Sequence, residues 1–111
     1  MQRDLDTNIY LTNGTVMTNG GTATPLTVGA AIVDALVAVF PQEAPQPSAE
    51  QKDARFSLGI RISAGGSQDL TLDDLKTIKH CCDLMYGTLI YGQISAWADE
   101  RAVPFASKVV S

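Results

Sequence analysis

The chain has little of what most often gives a function away: one histidine, one tryptophan, two cysteines, and 18% charged residues. Its longest apolar run, Ala35 to Phe40, is preceded by Asp34 and stopped by Pro41, far short of the roughly 20 residues a spanning helix requires. No membrane association through a spanning helix is expected. Basic residues are outnumbered, 8 against 12 acidic, for a formal net charge of −4. They are scattered as Arg3, Lys52, Arg55, Arg61, Lys76, Lys79, Arg101 and Lys108, so the sequence predicts no patch for nucleic-acid phosphates. The opening "MQRDLDTNIY" lacks the basic-then-apolar layout of a secretory leader, which points to the cytoplasm. Both G-x-G-x-x-G and Walker spacings are missing, and the glycines read as turn-formers rather than a phosphate cradle.

What is present fits one folded domain. At 111 residues with 45% apolar content, the chain can build one modest core, and the low charged fraction leaves apolar surface over for contacts. The order of signals predicts a mainly α (α+β) fold: a hairpin segment over 1–26, a bundle of about four helices over 27–101, and a tail over 102–111. "NIYLT" alternates polar and apolar residues into Asn13-Gly14, and "TVMT" runs into Asn19-Gly20-Gly21. Asn-Gly supplies the positive φ that tight hairpin turns need, so a hairpin or three-stranded meander ending near Leu26 is expected.

"TPLTVGAAIVDALVAVF" predicts a helix capped by Thr27 and closed by Pro41, with Ala31, Ile32, Ala35, Leu36 and Val39 inward. Val33, Val37, Ala30 and Ala38 make its other faces apolar too, and a small domain has little cover to spare for such a helix. Self-association is therefore expected, with Ile32, Val33, Leu36 and Val37 as interface candidates. "PQEAPQPS", residues 41 to 48, reads as a stiff, exposed connection. Ser48 with Gln51 is a capping-box signature opening a second helix, with Ala54, Leu58 and Ile62 on one face, Phe56 and Ile60 on a flank, and Gly65-Gly66 at its end. Lys52, Arg55 and Arg61 read as its solvated face. Thr71 caps a third helix, with Asp73 and Asp74 at the positive end of its dipole and Leu75, Ile78, Cys82 and Met85 as its buried seam. A fourth runs from Thr88, past a break at Gly87, with Ile90, Ile94, Trp97 and Ala98 inward.

The densest chemistry is "IKHCCDLMYG", residues 78 to 87. Helical neighbours diverge by about 100°, so His80, Cys81 and Cys82 point three ways and cannot converge on one ion or one proton. Of the positions three and four away from His80, only Asp83 could ligate, which falls short of a zinc site. A thiol with His80 as its base fails in the same way. Cys82 is expected in the core and Cys81 at its margin. The sequence thus predicts no catalytic residue, no metal and no cofactor. Tyr91, Trp97 and, in the apolar tail, Phe105 complete the interface candidates, since amphipathic rings favour both interfaces and cores.

Residues 69 to 94, "DLTLDDLKTIKHCCDLMYGTLIYGQI", resemble the C-terminal half of small accessory proteins of tailed phages and prophages. The "PLTVGAAIVDAL" helix, the variable linker and "ARFSLGIRI" follow that pattern in the same order over most of residues 10 to 98. The double cysteine and the tail after Trp97 depart from it. The resemblance implies a helical fold, a phage or prophage origin, and association with a host or phage protein, with no catalytic residues to carry over. Rival readings are a virion structural or head-tail assembly component and, from another class, a thiol-dependent enzyme or regulator.

Overall fold

In the computed structural model, which describes residues 1–20 and 23–101, the chain is mainly α with a small β component. Among the described residues, strand β1 (Gln2–Asp4) is followed by helix α1 (Val28–Val37), helix α2 (Ala49–Ser63), strand β2 (Ser67–Asp69), helix α3 (Leu72–Met85) and helix α4 (Thr88–Ala98). Three of the four helices start where a hydroxyl can satisfy an orphan backbone N–H. Thr27 accepts from Ala30, and Ser48 and Thr71 form reciprocal capping boxes with Gln51 and Asp74. Gly87, with Tyr86 extended before it, separates α3 from α4.

The β component has two parts. Residues 8–20 and 23–27 form the expected turn region through isolated antiparallel bridges, Asn8 to Thr27, Tyr10 to Val16 and Thr18 to Pro25. Their backbone bonds close a ring: the Ile9 N–H donates to the Leu26 carbonyl, Leu26 to Met17, and Met17 to Ile9. Gly14, at φ 88°, makes the Asn-Gly turn, where a side chain would be strained. The second part carries no alternation that a sequence could show. β1 pairs antiparallel with β2, Arg3 opposite Gln68, tying the chain's first residues to the connection between α2 and α3.

This N-terminal segment provides the cover that α1 was expected to lack. Leu5 and Ile9 are buried with Val28, Ala31, Ile32, Ala35 and Leu36 in one core that also takes Leu58, Ile62, Leu70, Ile78, Ile94 and Trp97. The Gly29 N–H donates to the Leu5 carbonyl at 2.9 Å, and a Cβ on Gly29 would stand 2.9 Å from that oxygen. Only glycine allows so close an approach. α1 packs against both α2 and α3, and α3 against α4. Trp97 Nε1 donates to the Asp4 carbonyl at 2.8 Å, and the buried Arg3 guanidinium donates to the Ala98 carbonyl at 2.9 and 3.1 Å. Leu5 and Ile9 of the N-terminal segment thus share one core with the helices.

Several expected positions differ. α1 stops at Val37, three residues short of the residue before Pro41. A proline clashes with the carbonyl four positions earlier, which here is Val37, and lacks the N–H to pair with it. Val39 therefore lies beyond the helix and is 85% exposed instead of inward. Met85, at the end of α3, and Ala54 on α2 are exposed too, while Cys81 is fully buried rather than marginal.

Candidate functional site

The connection between α1 and α2, with the faces of α2 and α3 beside it, holds the densest set of polar side chains with a shared partner. Glu43, third residue of the proline-rich stretch, is buried and accepts both terminal nitrogens of Arg55, at 3.1 and 2.6 Å. Its Oε2 also lies 2.7 Å from His80 Nε2. One carboxylate thus bridges α2 to α3. Gln46 fixes the connection by donating to the carbonyls of Phe40 at 3.0 Å and Glu43 at 2.6 Å. The Arg55 guanidinium, with His80 assisting against the cost of burial, holds the Glu43 carboxyl well below the usual range, at about 2.

Arg55 is accordingly not part of a solvated face, and Arg61 pairs with Asp74 at 3.1 Å. Nothing in the sequence announced Glu43. A lone carboxylate among prolines has no periodicity, and its partners lie 12 and 37 residues away. The one available hint was composition, a single acid inside an otherwise neutral stretch.

The His-Cys-Cys stretch resolves differently. His80 is half exposed and directs its Nε2 at Glu43, not at a thiol. Cys81 and Cys82 are buried and unbonded to each other. Burial pushes both thiols up, Cys82 to about 12, with Arg55 opposing the rise at Cys81. Thiols held protonated are poor nucleophiles and poor metal ligands. Among the described residues no group of three or more histidine, cysteine, aspartate or glutamate side chains could hold a metal ion.

Two hollows flank the Glu43–Arg55 bridge. One, of about 330 Å³, lies between the end of α1 and the first half of α2, walled by Val37, Val39, Phe40 and Phe56 with Lys52 at its rim. Val37 and Phe56 are 57% and 60% exposed. The other, of about 380 Å³, lies between α2 and α3 and is walled by Pro45, Ala54, Arg55, Lys76, Thr77 and His80. Lys52 and Lys76 form no ion pair among the described residues. The linings of the two hollows thus hold Lys52, Arg55 and Lys76 against the one carboxylate of Glu43.

The interface candidates divide sharply. Ile32, Leu36 and Trp97 are buried in the chain's own core, and Leu36 lies at the floor of the first hollow's lining. Val33 and Tyr91 are partly buried against that core. Val37 is exposed on the first hollow, and Phe105 lies outside the described residues. Val39 and Phe56, whose helical spacing places them facing or flanking a core, are exposed on the same hollow.

No helix of the described residues is long and apolar enough to cross a membrane. Comparison with protein-family models, with curated proteins and with solved structures found no match.

Proposed function

We propose that the chain is a non-catalytic accessory protein, of the small kind carried by tailed phages and prophages, acting in the host cytoplasm by self-association and by binding another protein. One observation carries the binding part of this reading: Val37, Val39 and Phe56 stand exposed around a single hollow beside an unpaired lysine. Apolar side chains gathered at a concave site, with a charged rim, are what an interface uses for anchoring and orientation. Scattered singly they would mean nothing. The phage origin rests on the sequence resemblance alone. A host or phage protein as the partner, and modulation of a host protein as the outcome, follow from that origin.

A photo-crosslinking residue placed at Val39 in producing cells tests the reading. Protein adducts at Val39 and none at the exposed Ser57 support it; adducts at neither, or equally at both, contradict it. The thiol-dependent alternative requires Cys81 to be reached by a reactant. Loss of a phenotype in Cys81→Ser, with the fold retained, would favour that alternative over the proposed one.

A further inference from the structure

We propose that the hollow beside Lys52 receives Leu72 of a second copy, with that copy's Asp73 facing Lys52, so that copies join head to tail. This rests on the reading of the hollow as a docking face and names what fills it. Leu72 is the first residue of α3 and is 58% exposed, a bulky aliphatic side chain without cover. Asp73 follows it, exposed and without an ion pair among the described residues, while its neighbour Asp74 is engaged by Thr71 and Arg61. An apolar knob with an unpaired carboxylate thus matches an apolar hollow with an unpaired ammonium. Opposite charges at the rim orient such a contact and select against misaligned ones.

The two halves lie at opposite ends of the molecule's helical layer. Arg61, late in α2, meets Asp74, early in α3, at 3.1 Å. Arg55, earlier in α2, meets His80, later in α3, through Glu43. α2 and α3 therefore run antiparallel, with the hollow towards one end and Leu72 towards the other. Eight residues separate Leu72 from His80, about 12 Å along the helix axis. A copy cannot place its own Leu72 in its own hollow. Made once per pair of copies, as the head-to-tail arrangement requires, the contact is heterologous and grows into rings or open chains; made twice about a twofold axis it would close a dimer instead.

Sedimentation velocity of the full chain over a range of concentrations tests this, with circular dichroism confirming that each variant folds. The mean mass is expected to rise past that of a dimer, and Phe56→Asp or Leu72→Asp should each weaken association at least tenfold. Lys52→Glu and Asp73→Lys should each weaken it alone and restore it when combined in one chain, a rescue that a merely structural effect would not produce. Association capped at a dimer, abolished by Phe56→Asp but indifferent to Leu72→Asp, overturns the head-to-tail contact and leaves the hollow a docking face. Association that emerges only in a variant ending at Arg101 also overturns it, by making residues 102–111 the occupant. A monomer throughout overturns it as well, and crosslinking at Val39 then decides separately whether the hollow binds a different protein.

Discussion

Residues 38–47 and residues 78–87 meet at the Glu43–His80 contact, and they use their side chains in opposite ways. The second stretch holds both thiols and the imidazole, yet Ile78, Cys81 and Cys82 are spent on the core. The first is prolines, alanines and glutamines, yet it buries a carboxylate and leaves Val39 bare. The difference follows from backbone geometry. A helix assigns each side chain a direction every 100°, so a reactive type on the inner stripe is packed and protonated. An irregular connection obeys no stripe, so it can turn one acid inward to bind two helices and one valine outward. Residue type therefore says less about availability for chemistry or binding than the element that carries it.

The contrast can be broken first in the core that both stretches lean on. Ile32→Asp, which puts an unpaired carboxylate among Leu5, Ile9 and Leu36, should cost at least about 4 kcal/mol. Loss of the cooperative thermal transition is the expected readout, and a folded monomer would contradict this placement of α1. Next, Glu43→Ala removes a shared acceptor and strands Arg55, which should cost about 2–3 kcal/mol by denaturant titration. A loss below 0.5 kcal/mol would show the bridge to be an ordinary surface pair, worth no more than the ~0–1 kcal/mol of such pairs.

The same bridge predicts a pH dependence of defined sign. In the unfolded chain the Glu43 carboxyl takes its proton near the usual value of about 4.3; in the folded chain it does so only near about 2. The unfolded state thus binds more protons between those values, and the bridge's contribution, complete above the upper one, fades as pH falls towards the lower. Glu43→Gln should flatten the stability curve in that window. Curves that stay parallel would contradict the coupling.

Smaller effects sharpen the comparison. Cys82→Ser leaves a hydroxyl in a dry site and should cost about 1–2 kcal/mol, and neither thiol should react with a disulfide reagent until the protein unfolds. Rapid reaction of Cys81 in the folded state would reopen the thiol reading. Val39→Ser should change stability by no more than about 0.5 kcal/mol, because the side chain touches almost nothing in its own molecule.

Much of the fold was legible because it is written in local signals. Thr27, Ser48 and Thr71 mark three helix starts, and the spacing of Leu75, Ile78 and Cys82 marks a buried seam. The Asn13-Gly14 turn was equally plain. The pairing of Gln2–Asp4 with Ser67–Asp69 was not, since both strands are polar, three residues long and far apart in sequence. Missing that pairing made α1 look short of cover and moved Ile32 and Leu36 onto an expected interface. The candidate site was less legible still. Glu43, Val39 and Phe56 come together only because Pro41 ends α1 one turn before the apolar run does.

Amide hydrogen exchange at two protein concentrations, dilute and at least a hundredfold higher, tests most directly the claim that the molecule associates through this face and not through the His-Cys-Cys helix. The account predicts slower exchange in the concentrated sample over residues 37–40 and 52–60 and at the start of α3, with residues 78–87 unchanged. Protection gained at residues 78–87 alone, or spread evenly over the chain, would contradict it.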